Sequence, residues 1–447
     1  MKFHIEWLVR FLLAVILWAA CVIIAHAEVS LSTPSLTMDS AIRRAVQTNL
    51  NTQLSRATSL EARGRAIQAA ASLLPQVAGS VSEARIFKAN LAAQGFEAST
   101  FLSDPVIGPY NSFDARFTLV QKILDMNSIW NAKAASADNR AAGFAEDLAA
   151  EQVASAAALS YIEDLRAIHD VQDAQANLDL AERLSTLAHH QHDAGLATGV
   201  DTARAETRVA RDRQRLIQAR LVAIQSDIRL KRVVGIPLPQ PVMLAESPRM
   251  STTVVTGGDG MIAQALTDRP EIRITQEQIK AETYGLDAAR AGYLPVIAAA
   301  ADYGFSGNQP NGSARTGSIG GRLDLPIFTG GLTHGQIQES KGRRAAAQAQ
   351  YDDARIQVEE DVRLALLTLS AEVDDVDAAQ TQLKLAEQEL QLAQDRYSTG
   401  VGDNIQVVTA QASLEDARKS LVDVQARYSD SRANLAMALG HMQTFQL

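Results

Sequence analysis

The two halves of this 447-residue chain repeat each other. Shifting the sequence by 205 residues aligns it with itself without a gap, so that Gly195 and Gly235 meet Gly400 and Gly440. Upstream of this region the shift that aligns the two halves is 220 residues, so the first half carries about 15 additional residues. We expect them in a surface loop within 88–110. Self-similarity over this length predicts one structural unit that the chain builds twice.

Each half contains the same order of predicted elements. A helix comes first, then two extended segments around a loop rich in Gly, Pro and Asn, then a very long helix and a shorter one. We expect helices over 37–73, 126–192 and 200–234, and again over 259–293, 333–397 and 404–438. The longest of these would reach roughly 100 Å, which no globular domain requires.

The repeat also gives the domain organisation. We expect a signal peptide at residues 1–27, the first repeat at 28–240, a linker at 241–258 and the second repeat at 259–447.

Heptad spacing marks the long helices as coiled coils. Apolar residues recur every seven positions along both predicted helices of the second half, which implies left-handed supercoiling against an antiparallel neighbour. A plain two-helix coiled coil would show the same pattern. The heptad residues are Leu369, Val376, Leu383, Leu390 and Tyr397, followed by Val407, Leu414, Leu421, Tyr428 and Leu435.

Four shorter segments alternate apolar and polar residues. They begin near Val77, Phe113, Ile297 and Ile319. Such alternation over about ten residues is typical of transmembrane β-strands, with one face to lipid and one to a wet lumen. A half-buried sheet in a soluble domain is the alternative. The residues predicted to face lipid are Phe113, Phe117, Leu119, Tyr303, Phe305, Leu323 and Leu325.

Four strands are too few to close a barrel, and an open sheet edge in lipid leaves backbone groups without partners. We therefore expect a barrel shared between two, three or four chains. The predicted fold class is mainly α with a small β part.

The N-terminus has the features of a secretory signal peptide. A basic start precedes the apolar stretch 8–24, and Ala25-His26-Ala27 forms a cleavage site. An uncleaved anchor and a lipoprotein signal at Cys21 are the alternatives. Because Cys21 is the only cysteine, cleavage leaves a mature chain without disulfides or thiolate ligands.

Charge and motifs exclude several function classes. The net charge of −9 argues against a nucleic-acid partner. No metalloprotease, nucleophile-elbow or nucleotide-binding motif is present, so we expect neither an enzyme nor a cofactor. A weak metal candidate consists of His189, His192 and Asp193, which share one helix face. A solvated helix end explains the same residues.

The sequence resembles the TolC-like outer-membrane efflux family. The resemblance rests on two motifs of the second half. Residues 325–331 form a strand-to-helix junction, and residues 396–400 with Asn404 and Ile405 form a helix hairpin. Their counterparts in the first half are residues 121–125 and 194–198. It covers nearly the whole mature chain, in order and in duplicate.

The resemblance implies a homotrimer with a shared 12-stranded barrel in outer-membrane lipid and a helical tunnel in the periplasm. It also implies two protein partners, a periplasmic adaptor (membrane fusion) protein and an inner-membrane transporter that supplies the energy. The channel would then be a passive exit duct for efflux or type I secretion. The sequence does not name the cargo.

The family places adaptor contact at the two hairpin turns. Small residues there allow close approach of a partner hairpin, although they are also ordinary helix ends. The residues concerned are Gly195, Leu196, Ala197, Thr198, Gly400, Val401 and Gly402.

The family also places a periplasmic gate beside these turns. Tyr397 matches a tyrosine that holds the channel closed, whereas Gln406 and Thr409 stand where the constriction carries aspartates. Their lack of charge puts strong cation binding in doubt. Asp201 and Asp403 are the remaining acidic candidates, and Asp201 could equally be a helix cap.

A periplasmic coiled-coil adaptor without a barrel is the main rival interpretation. It explains helical hairpins, but it predicts neither the strand pairs nor the 205-residue repeat. Extraction from membranes separates the two, because a barrel requires detergent.

Overall fold

The computed structural model describes residues 35–90, 106–245, 258–399 and 401–447. The predicted signal peptide with Cys21, part of the expected loop, most of the linker and Gly400 lie outside the described residues.

The first half begins with a short strand and ends with a long helical hairpin. Its elements are β1 (Ser35–Leu36), α1 (Met38–Thr48), α2 (Leu50–Ala71), β2 (Gln76–Ile86), β3 (Ala89–Asn90), β4 (Val106–Ile107), β5 (Tyr110–Leu124), α3 (Met126–Asp193) and α4 (Gly199–Val234).

The second half follows the same order from its first helix onward. Its elements are β6 (Met243–Leu244), α5 (Gly258–Asp268), α6 (Pro270–Ala291), β7 (Val296–Gly307), β8 (Ala314–Asp324), α7 (Leu332–Ser398) and α8 (Asn404–Leu439), followed by a 3₁₀ turn at Met442–Thr444. The long helices have 68 and 67 residues, and the shorter ones have 36 each. In the described parts of the chain, no helix combines the length and the apolar character needed to cross a membrane.

The first helix of each half is interrupted, which the predicted single helices over 37–73 and 259–293 did not anticipate. The backbone becomes extended at Asn49 and at Arg269, and a new helix starts at once. In the second half the cause is Pro270, because proline has no N–H to donate and disfavours helical geometry in the preceding residue. In the first half the Asn49 side chain caps α2 instead.

The predicted coiled-coil seam lies between α7 and α8. Eight of its heptad residues are buried there, and Leu383 and Leu421 are half-buried against them. The buried residues are Leu369, Val376, Leu390, Tyr397, Val407, Leu414, Tyr428 and Leu435.

Helix α3 packs mainly through alanine. Ala154, Ala157 and Ala158 are fully buried, and α3 contacts α1, α2, α4, α6 and α8. Small side chains allow this close approach of several helices around one.

One hydrophobic core joins residues far apart in the chain. The Tyr161 hydroxyl donates to the carbonyl of Leu36 over 3.0 Å. The Glu151 carboxylate accepts from the backbone N–H of Met442 over 2.7 Å. Phe445 packs into the same core. The segment after α8 is therefore fixed to α1 and α3.

The four long strands form one antiparallel sheet in the order β2-β5-β7-β8. Within this sheet, the two halves of the chain meet at the β5–β7 pair. Strands β2 and β8 are the edges of this sheet. Two further strand pairs, β1–β6 and β3–β4, are two residues long.

Candidate functional site

The strand register places the apolar side chains on one face of the sheet. Phe117 stands opposite Tyr303, and Ile297 opposite Leu323. The predicted lipid-facing residues on this face are Phe113, Phe117, Leu119, Tyr303, Phe305 and Leu323. Leu325 lies just beyond β8 and is exposed. Contact of this face with lipid remains a prediction.

The opposite face carries a network of paired charges. The Arg116 guanidinium bonds to Asp114 on its own strand and to Asp302 on β7, the latter over 3.2 Å. Ser318 on β8 donates to Asp302. Gly304 stands opposite Arg116, and a β-carbon there would lie 2.6 Å from the Arg116 backbone, so only glycine fits. The polar face is thus ordered across three strands.

The strand-to-helix junction of the first half is built from polar side chains. Asp125 caps α3 by accepting from the N–H of Ser128 over 3.1 Å. The Lys122 ammonium lies 2.7 Å from Asp125 and 3.0 Å from the Ser128 hydroxyl. This arrangement fixes the direction in which the long helix leaves the sheet.

Both helical hairpins expose an apolar side chain at their turns. Gly195 takes a φ of +74°, which lets the chain reverse after α3. Leu196 and Val401 are 73% and 75% exposed. In the second turn Gly402 packs tightly against Arg396. The predicted contact residues therefore lie at the tips, apart from Gly400, which is outside the described residues.

The two acidic gate candidates are engaged at helix starts. Asp201 accepts from the backbone N–H and the hydroxyl of Thr198, over 2.9 and 2.6 Å. These bonds lower the pKa of Asp201. Asp403 caps α8 through the N–H of Ile405 over 3.1 Å. Capping, which was the alternative for Asp201, is therefore present in the fold.

Tyr397 lies inside the seam rather than on an open face. It is 7% exposed and packs with Val407 and Leu414 of α8. Burial, followed by the charges of Asp201 and Asp403, raises the pKa of its hydroxyl. Gln406 and Thr409 are exposed on α8. The structure thus brings Tyr397 near both acids, and a role of all five residues in a constriction remains a prediction.

Two hydrogen bonds connect the tips of the hairpins to each other. Gln191 at the end of α3 donates to the carbonyl of Tyr397 over 3.2 Å. Asn404 at the start of α8 donates to the carbonyl of Asp201 over 3.1 Å. Sequence reasoning missed Gln191 as a connecting residue and used Asn404 only as a family marker.

A buried ion network joins the hairpins about two to five helical turns above the tips. Arg208 on α4 pairs with Asp212 over 2.9 Å and with Glu415 on α8. Arg215 pairs with the same two carboxylates. No sequence motif marked these residues, although the short spacing of Arg208, Asp212 and Arg215 on one helix face was a usable signal.

The histidine candidates for a metal site do not point to one centre. The His189 Nε2 atom lies 3.1 Å from Glu206 on α4. The His192 Nδ1 atom lies 3.1 Å from the carbonyl of Ala197 in its own turn. Across the described ranges, no group of three potential ligands is arranged to hold a metal ion.

Comparison with known proteins adds independent information. The sequence profile described as "Outer membrane efflux protein" matches residues 261–441. The pyoverdine export outer membrane protein OpmQ of Pseudomonas aeruginosa is 25% identical, over 90% of this chain and 85% of its own length. The outer membrane protein TolC of Escherichia coli K12 is 23% identical, over 74% and 70%.

Solved structures share the fold. The outer membrane protein VceC of Vibrio cholerae matches with a TM-score of 0.77 at 20% identity, over 90% of this chain and 96% of that one. Its likeness therefore extends over the sheet and both hairpins. Residues 261–441 thus match the outer membrane efflux protein family, and the chain as a whole is similar to OpmQ in sequence and to VceC in fold.

Proposed function

We propose that this chain is the outer-membrane exit duct of a tripartite efflux or type I secretion assembly. Three copies would share one 12-stranded barrel, and their helical hairpins would form a tunnel through the periplasm. The observation that carries the proposal is a four-stranded sheet with one apolar and one polar face, joined in the same chain to hairpins roughly 100 Å long.

The sheet edges support a shared barrel. Strands β2 and β8 each have one long partner strand within the chain. In lipid their free backbone groups require partners, which a neighbouring copy supplies when β8 of one chain pairs with β2 of the next. Closure in this way leaves no edge in the membrane.

The helices carry matching apolar stripes. On α4 the exposed residues follow heptad-like spacing, and α7 exposes a second set. Rows of exposed apolar side chains of this kind mark protein interfaces. The residues are Ile217, Leu221, Ile224 and Ile228 on α4, and Leu364, Leu367, Leu385 and Leu392 on α7. Packing of α4 on α7 of the next copy buries both stripes and closes a ring.

The hairpin tips are the proposed docking surface for the adaptor protein. Leu196 and Val401 project from turns of small residues, so that a partner hairpin can cover them. The transporter in the inner membrane supplies the energy, and the duct conducts passively. Asp201, Tyr397, Asp403, Gln406 and Thr409 are the proposed lining and support of its entrance.

The test is extraction followed by mass measurement. The membrane fraction is washed with alkali and then extracted with detergent, and light scattering with detergent correction gives the protein mass. We expect a detergent-dependent trimer that forms discrete conductance steps in a planar bilayer. A monomer or dimer released by alkali alone would contradict the duct and favour the periplasmic adaptor.

A further inference from the structure

Two buried polar groups beside the hairpin tips lack partners. The Tyr397 hydroxyl at the end of α7 and the Gln411 side-chain nitrogen on α8 are shielded from solvent. Among the described residues, neither atom has a hydrogen-bond partner. Leaving a buried donor unpaired destabilises the fold, so each such group in a folded protein requires an explanation.

Both side chains line the same small cavity. Its volume is about 10 Å³, and its walls come from all four helices of the two hairpins. Arg208 of α4 and Asn404 of α8 add further polar groups to the wall. The remaining walls are apolar, with Leu184 and Val407 among them.

We propose that this cavity is a binding site for one water molecule that bridges Tyr397 and Gln411. A cavity of this size accommodates a single water, and a water needs two to four polar partners, which this wall offers. The water accepts a hydrogen bond from Gln411 and shares another with the Tyr397 hydroxyl.

The chemistry of the wall excludes other occupants. The volume is too small for an organic molecule or a hydrated ion. A bare cation would lie beside the Arg208 guanidinium without a carboxylate among the lining residues. An empty cavity is stable only when its lining is apolar, and this lining is not.

The proposed water lies where the two hairpins meet, because helices of both contribute to the cavity wall. The site lies within one chain, so it does not depend on trimer formation or on conduction.

The test is a structure of the detergent-extracted protein that shows ordered water elsewhere in the hairpins. We expect a water peak within hydrogen-bonding distance of Tyr397 Oη and Gln411 Nε2. In Gln411→Leu the peak disappears, because leucine fills the space and removes the donor. The control Gln382→Leu, at an exposed position of α7, adds a similar apolar side chain and keeps the peak.

Heat stability gives a second measurement. We expect Tyr397→Phe combined with Gln411→Leu to melt at or above the temperature of the parent, because both polar groups are removed together. A parent structure without the water, a direct bond between the two side chains, or a peak that persists in Gln411→Leu would each overturn the proposal. None of these outcomes bears on the conductance test of the duct.

Discussion

Replacing Arg208 by methionine tests whether the buried ion network holds the two hairpins together. Arg208 reaches both Asp212 on its own helix and Glu415 on α8, as the more exposed Arg215 also does. Methionine keeps the length and apolar stem of the side chain but removes the charge. The variant therefore leaves two carboxylates at the hairpin junction with one fewer cation.

The magnitude follows from the burial of Asp212, which is 1% exposed. Breaking a buried ion pair by removing one partner costs about 3–5 kcal/mol, because the remaining charge is left without compensation. Arg215 also lies near Asp212, with its Nη1 atom 3.7 Å from the carboxylate. This second cation offsets part of the loss, so we expect a fall of about 3 kcal/mol in the free energy of unfolding.

The assay is guanidinium unfolding in detergent, followed by circular dichroism of the helices. Arg213→Met is the matched control, because Arg213 lies on the same helix, is 65% exposed and faces Glu182 at 3.5 Å. Such a surface pair contributes less than about 1 kcal/mol. The double variant Arg208→Met with Asp212→Leu should recover most of the loss. Equal losses in Arg208→Met and Arg213→Met would refute this reasoning.

Three further predictions concern other parts of the molecule. Burial raises the pKa of Asp164 to about 6 from an ordinary 3.8. The folded chain therefore holds a proton that the unfolded chain releases, and its stability should fall as the pH rises from about 4 through 6. In Asp164→Asn the melting temperature should change less with pH over this range. An unchanged pH dependence of the melting temperature would contradict the prediction. Leu196→Asp with Val401→Asp should weaken adaptor binding at least about tenfold by calorimetry without changing the melting temperature; unaltered affinity would exclude the tips as the docking surface. Phe117→Arg should lower the free energy of unfolding of the assembled protein by about 2–4 kcal/mol, because it places a charge on the apolar face of the sheet. Thr118→Arg, on the polar face, should be tolerated. Equal losses of stability in the two variants would mean that Phe117 does not face lipid.

Much of the fold was predictable because periodicity is a local signal. Sevenfold spacing in the second half located α7 and α8 and their shared seam, and twofold alternation located the four long strands. Pro270 also stops a helix by local chemistry, so the break beside it was in principle readable. The break at Asn49 has no such marker, because asparagine occurs within helices as well as at their starts.

The hairpin contacts were not predictable, because they depend on which faces of the helices meet across the two hairpins. Arg208 and Glu415 are 207 positions apart, and Gln191 and Tyr397 are 206 apart. Both separations are close to the 205-residue repeat, so the repeat indicates the relative height of the hairpins but not which side chains meet. Tyr397 illustrates the limit: its heptad position implied burial in the seam but not the hydrogen bond that its carbonyl accepts from Gln191 of the other hairpin.

The core that contains Leu36, Tyr161, Met442 and Phe445 has a consequence for the order of events during biogenesis. Leu36 and Phe445 are more than 400 positions apart, and both are buried in the same cluster. A polypeptide emerges from the N-terminus onward, so this cluster is completed only after α8 has been made. Contacts between such distant residues also form slowly. The chain therefore remains incompletely folded throughout its synthesis, and a chain in that state is the form that can be threaded across the inner membrane.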